Sequence, residues 1–455
     1  MKNRYFVRVV VLVLLAVILL AGCAARAVGQ GEGNLPGRSE YPPADNDGAL
    51  AGIGSLQQTA FQRGGQAADN FRNNTPRMQR VSGEVRGVWL SFLEFDHMLR
   101  GKTEAEFTAN IREVYDNIAA YGLNTVIVQV RPFGDALYPS AYFPWSQFAS
   151  GTEGINPGFD PLAIMVDEAH ARGFRFEAWI NPYRIRNSGS TIPLSADNPA
   201  LRWINEGHPG VIRYNGLISY NPADPQARAL IVNGVREIVR NYSVDAIHID
   251  DYFYPTTSPG FDAASFGAYR DGGGTRTLDD WRRNNVETLM REMHAAIKAI
   301  DPNVLFGISP QSRIDYNFEN LYLDIARITQ NPGYTDYIMP QIYFGFEHAT
   351  QPFQRSLDDW AEIVNSDYVR LYIGLAAYKS GLDDQWAGAG RSEWIDNTNL
   401  LARKVEASRG AEGYAGFVIF RYDSLFTPGA SVADHVEREH QNLLALLWAT
   451  DNPSA

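Results

Sequence analysis

The densest collection of groups able to move a proton lies in Ile247-His-Ile-Asp-Asp-Tyr-Phe-Tyr-Pro255. Ala246 to Ile249 is short and apolar, the composition of a buried strand. Side chains alternate along a strand with a period of two, so His248 and Asp250 share one face and Ile247 and Ile249 the other. An ionised Asp at the end of such a strand is costly unless it is paired or solvated at an open mouth. Asp250 followed at once by Asp251 is therefore a candidate carboxylate pair. Burial and mutual repulsion hold a proton on one member and leave the other ionised, which is the division that acid–base chemistry requires. The opposite parity of Asp251 makes its contribution depend on the strand having already turned. The plain structural alternative is an Asp that caps the next loop and a buried His satisfied by a neighbour.

Polar endings of the same kind recur on other strand-like segments. Gln129 and Arg131 are followed by Asp135 and Tyr138, and Glu177 and Trp179 by Asn181, Tyr183 and Arg184. Further on come Ser309-Pro-Gln-Ser-Arg313, Gln341 with Tyr343, and Arg421-Tyr422-Asp423. Carboxylates converging with Arg, His and Tyr suit acid–base work on a neutral polyol. In this reading Asp250 is the ionised carboxylate, and Asp251, Glu177 and Asp135 are the candidates for the acid. Arg131, Asn181, Arg184, His248, Tyr252, Ser309, Gln341 and Tyr343 hold sugar hydroxyl and acyl groups or orient the carboxylates. Glu347 and Asp383 on later loops are reserves. Separation of the two carboxyl groups would set the stereochemistry, about 5–5.5 Å for retention and about 6.5–9.5 Å for inversion.

Groups so far apart in the chain need a fold that gathers strand ends. Strand-like segments at 85–92, 124–130, 174–180, 246–249, 304–309, 337–343, 370–376 and 416–421 alternate with helix-like ones. The latter fall at 104–121, 161–172, 224–241, 278–300, 319–329, 352–364, 394–407 and 432–448. Eight of each is the count of a closed (β/α)8 barrel, a TIM barrel. An open doubly wound sheet also alternates, but no Gly-rich phosphate loop follows the first strand. Barrel chemistry sits at the C-terminal ends of the strands, and the loops after strands two, three and four (131–160, 181–223 and 252–277) are long. They predict one wall of a groove, with Trp145, Trp203, Tyr214, Tyr220, Phe253 and Tyr254 as possible platforms.

Composition narrows the partners. A formal net charge of −12 disfavours nucleic acid, whereas aromatic richness suits carbohydrate. The eight His include no i, i+4 pair, and Cys23 is the only cysteine, so neither a metal site nor a cofactor is expected. Residues 1–23 combine Lys2, Arg4 and Arg8 with an apolar run and end in Leu20-Ala-Gly-Cys23. This resembles a bacterial lipoprotein signal, which implies cleavage before Cys23 and attachment of lipid there. The protein would then be exported and held to the cell envelope, at the periplasmic face of the outer membrane in a Gram-negative organism. Residues 24–80, rich in Gly, Ala, Asn, Gln and Arg, read as a disordered tether with a reach of about 40 Å. Residues 81–450 form the catalytic domain.

Several of these segments also carry a family resemblance. Arg86-Gly-Val-Trp89, Gln129-Val-Arg-Pro-Phe-Gly-Asp-Ala-Leu-Tyr-Pro139, Ala178-Trp-Ile-Asn-Pro-Tyr-Arg184, Ile247 to Pro255 and Met339-Pro-Gln-Ile-Tyr343 resemble bacterial glycosyl-hydrolase-like family 10. The resemblance spans 84–448 and implies a glycoside-hydrolase barrel in an exported, often lipid-anchored protein acting on peptidoglycan glycan strands. More remotely, 177–181 and 246–250 are similar to strand-three and strand-four motifs of the α-amylase type, which would make Asp250 the nucleophile. The Glu usual after strand five in that pattern is absent, and Ser309-Pro-Gln stands there. Two other readings stay open: a barrel that binds glycan without cleaving it, and a metal-dependent polysaccharide deacetylase.

Overall fold

The structure, a computed structural model, describes residues 83–451. The signal segment, Cys23 and the tether lie outside the described residues. Eight parallel strands form the frame: β1 (Val85–Leu90), β2 (Thr125–Arg131), β3 (Arg175–Ile180), β4 (Ala246–Ile249), β5 (Leu305–Ile308), β6 (Tyr337–Ile338), β7 (Arg370–Ala376) and β8 (Tyr414–Phe420). Each pairs with the next, and β8 pairs with β1, so the sheet closes in strict chain order. The (β/α)8 barrel expected from the alternation is the observed fold.

The burial pattern follows from closure. β1, β2 and β3 are buried at every residue, because one face looks into the barrel and the other lies under helices. Trp89, Ile127, Trp179, Ala246, Tyr337, Met339, Tyr372 and Val418 fill the interior. Outside it pack α1 (Glu104–Ala120), α2 (Pro161–Ala171), α3 (Pro225–Asn241), α4 (Leu278–Ile300), α5 (Ile325–Gln330), α6 (Phe353–Ile363), α7 (Leu400–Arg409) and α8 (Ala433–Asp451). Their starts are written in the sequence. Asp160 and Asp224 cap α2 and α3 with proline in the first turn, and Thr277 caps α4. Inside the barrel Gly307 is required by close approach, since a Cβ there would overlap the Tyr337 ring.

The structure departs from the sequence reading at several points, the four below among them. β6 is only two residues long, since Pro340 lacks an N–H; Gln341 nevertheless continues the ladder through single bridges to Gln311 and Gly374. The helix expected at 319–329 divides into Ile314–Asn320 and α5, with Tyr322 between them at φ +58° and Asp324 capping the second piece. The one expected at 394–407 divides into Glu393–Asp396 and α7. The loop after β3 carries structure of its own: a helix, Pro199–Glu206, and a three-stranded antiparallel sheet of Arg184–Arg186, Leu217–Tyr220 and Val211–Tyr214.

Candidate active site

β4 ends at Ile249, and the chain turns at once, the Phe253 N–H bonding back to the Asp251 carbonyl at 3.0 Å. The turn removes the parity obstacle, so both carboxylates reach the mouth. Ile249 pairs with Ile180 on one side and Ile308 on the other, so Asn181 and Ser309 flank Asp250. Asn181 Nδ2 donates to Asp250 Oδ2 at 2.9 Å. Asp251 instead reaches forward to β5 and β6. Gln311 Nε2 donates to its Oδ2, and Gln341 Nε2 to its Oδ1 at 3.1 Å.

These surroundings separate the two carboxyl groups. Burial, then the neighbouring charge of Asp251, pushes Asp250 up to about 7, with Arg184 and Asn181 pulling the other way. Burial also raises Asp251, but its two amide donors oppose the rise and favour the ionised form. As pH rises Asp251, held by two side-chain amides, ionises first and Asp250 keeps its proton up to about pH 7, the reverse of the roles expected from the sequence. Arg184 supplies the nearby cation. Its guanidinium lies between the rings of Phe133 (4.6 Å) and Tyr252 (4.2 Å) and donates to the Pro132 carbonyl at 3.0 and 3.2 Å. Tyr252 is 45% exposed, and Tyr343 stacks on Phe420 (5.9 Å) and meets Tyr378 edge-on (5.8 Å).

Other predicted site residues stand elsewhere. Glu177 is sealed inside the barrel, where it pairs with Arg175 at 2.6 Å and accepts from the Tyr337 hydroxyl. It is level with Ala246, four residues below Asp250, or about 13 Å along the strand. Burial raises its pKa and Arg175 opposes the rise. Asp135 is buried in the loop after β2, where it accepts the Phe133 N–H at 3.2 Å. His248 and Ser309 are fully enclosed and bonded to each other at 2.9 Å. Arg131 does not line the mouth: a register shift at the end of β2 turns it against Phe143 (4.3 Å), and it donates to the Asn181 carbonyl at 3.1 Å. Its effect on the site passes through Asn181.

Among the expected platforms, Trp203, Tyr220, Phe253 and Tyr254 are buried in their own loops. The reserves are also placed: Glu347 is exposed, and Asp383 pairs with Arg391 at 2.6 Å. Tyr378 and Phe420 are the site residues the sequence reading missed, and Gln311 stood in the polar ending of strand five without a role of its own. Each lies at or just past a strand end, which is the one signal that marked them. Among the described residues, no three His, Cys, Asp or Glu side chains converge as a metal ligand set.

The family model described as glycosyl hydrolase-like 10 matches residues 84–388, from β1 into the loop after β7. The chain belongs to this family. The glycosyl hydrolase YngK of Bacillus subtilis is 38% identical over 72% of this chain and 67% of its own length. The glycosyl hydrolase DigH of Escherichia coli K12 is 35% identical over 77% of this chain and 85% of its own. With the family comes the enzyme class, that of a glycosyl hydrolase. Among solved structures, the glycoside hydrolase domain of PgaB (BpsB) from Bordetella bronchiseptica aligns with a TM-score of 0.52 at 13% identity, covering 77% of this chain and 98% of that one. The β-amylase catalytic domain of Paenibacillus polymyxa aligns at 0.50 and 12%, covering 80% and 99%. At such identities these two bear on the fold alone.

Proposed function

We propose that this family member hydrolyses a bacterial cell-wall glycan, the glycan strands of peptidoglycan, with Asp250 as general acid and Asp251 as its ionised partner. The carboxylate pair at the C-terminal mouth of the closed barrel carries the reading. Asp250 gives its proton to the glycosidic oxygen as the bond to the sugar breaks; water then adds its oxygen to the anomeric carbon, and the proton it releases restores Asp250. Asp251 supplies the negative charge that an oxocarbenium-like transition state requires. Arg184 keeps the pair from becoming neutral together. Tyr252, Tyr343, Tyr378 and Phe420 offer ring faces of the kind sugars stack on. The lipoprotein-like start and the tether support a polymer of the cell envelope, within reach of a membrane held through acylated Cys23.

The deacetylase alternative needs a histidine-containing ligand set. His248, the histidine of β4, has both ring nitrogens engaged by Tyr337 and Ser309. The deciding experiment incubates the full chain in detergent with glycan strands stripped of peptide stems and separates the products by chromatography and mass. New saccharide ends support the proposal. Free acetate would replace it with deacetylation, and retention of glycan without products with a binding role.

A further inference from the structure

Beneath the carboxylate pair a line of polar groups runs through the barrel interior, and its hydrogens can be assigned from one end. Glu177 faces Arg175 and is an acceptor, so the single hydrogen of the Tyr337 hydroxyl goes to it. The Tyr337 oxygen must then accept from His248 Nδ1 at 3.0 Å. Burial, with the Arg175 charge nearby, lowers His248 to about 3, so the ring is neutral and its Nε2 carries no hydrogen. Ser309 Oγ, 2.9 Å away, is therefore the donor to Nε2. It gives its hydrogen there rather than to the Ile249 carbonyl at 3.5 Å.

From Ser309 the line continues through the backbone. Gln341 Nε2 has two hydrogens, one for the Ser309 carbonyl at 2.9 Å and one for Asp251 Oδ1 at 3.1 Å. The imidazole itself is boxed by Trp89 and Trp179 edge-on (6.1 and 6.5 Å) and by the stacked Tyr337 ring (6.0 Å). It has one tautomer and one orientation. We propose that His248 is a positioning residue for Asp251: it ties β6 to the end of β5 and so aims the Gln341 amide at the carboxylate. The passage through a backbone carbonyl makes this a mount rather than a proton path. The inference rests on the Asp250–Asp251 reading of the site and concerns what keeps Asp251 ionised.

Asp251 is faced by Asp250 and Tyr252 on its own turn, Arg184 from the loop after β3, Gln311 and Tyr316 from beyond β5, and Gln341 and Tyr343 from beyond β6. Of these, the mount acts on Gln341 alone. His248→Phe keeps a ring and loses both bonds, and Ser309→Ala removes one hydroxyl. Each loosens a donor that favours the charged carboxylate, so the lower apparent pKa of the pair rises. The expected shift is about one unit for His248→Phe and about half a unit for Ser309→Ala.

The experiment measures turnover of stripped glycan against pH for the full chain, together with the carbon-13 carboxyl titration of aspartate-labelled protein. The Asp251 signal is identified by its loss in Asp251→Asn. The acidic limb of kcat should move up in both variants, kcat should fall about tenfold in His248→Phe, and KM should hold. Val418→Ala, in the same interior layer, lowers stability without touching the line and should leave the limb in place. If His248→Phe does not fold, Ser309→Ala decides. An unchanged Asp251 titration in a folded variant overturns the proposal, as does an equal shift in Val418→Ala. Absence of turnover in the wild type would count against the hydrolase reading only, since the carboxyl titration still reports on the mount.

Discussion

Replacing Asn181 by Ala removes one hydrogen bond from the group assigned as the acid and touches little else. Asn181 Nδ2 donates to Asp250 Oδ2 at 2.9 Å, both residues being buried. The backbone at 181 is pinned independently, its carbonyl by Arg131 Nη2 at 3.1 Å and its N–H by the Arg131 carbonyl at 2.8 Å. A hydrogen bond to a charged group contributes about 1.5–3 kcal/mol. At about 1.36 kcal/mol per pKa unit this corresponds to between one and two units. Water entering the space left by the amide recovers part of it. The bond favours ionised Asp250, so its loss raises a pKa that already stands at about 7. A general acid works while protonated, and turnover falls as pH climbs through its pKa. The basic limb of kcat/KM should therefore move from about 7 to about 8 in Asn181→Ala, while turnover at pH 6 drops about tenfold from lost orientation. The assay is initial rate on stripped glycan strands from pH 4 to 9.5. A basic limb that stays in place or moves down would show that Asp250 is not the group whose protonation limits the reaction.

Three further outcomes follow from the same geometry. Asp250→Asn should abolish turnover and raise stability above neutral pH. The folded state binds the Asp250 proton from the unfolded value of 3.8 up to about 7, so wild-type stability is lost as pH rises across that window. Relief on the order of 2–4 kcal/mol is expected at pH 8 and little at pH 4, read by thermal melts at both. Glu177→Gln should destabilise by about 3–5 kcal/mol, because it leaves Arg175 buried without its partner. Turnover per folded molecule should nevertheless stay within about tenfold, and a loss as deep as that of Asp250→Asn would return Glu177 to the reaction. Activity should survive exhaustive chelation, and a loss that zinc restores would revive the deacetylase reading.

The order of strands and helices was legible because each type has its own period and its own stops. The strands are apolar runs of a few residues, and Asp160, Asp224 and Thr277 mark where helices start. β6 is shorter than its apolar run suggests because Pro340, plain in the sequence, lacks the N–H that continued pairing needs. The helix at 319–329 was read as continuous because a single positive-φ residue, Tyr322, leaves no mark on periodicity. Asp250 and Asp251 could be picked out as a carboxylate pair at a strand end. Their roles, with Asp250 expected as the ionised member, come out reversed, because which of them holds the proton depends on Asn181, Gln311 and Gln341, contributed by three other strand ends.

The sequence alone determined the barrel and the rim on which its chemistry sits, since alternation and strand parity are local properties of the chain. Tertiary structure alone decided which polar residues face that rim. Glu177 and Arg131 stand at strand positions as promising as that of Asn181. Yet one is sealed beside Arg175 about four residues below the mouth, and the other is turned outward by a register shift against Phe143. Depth within a closed sheet and the sense of a bulge are set by the neighbouring strands, and no residue's own surroundings in the chain encode them.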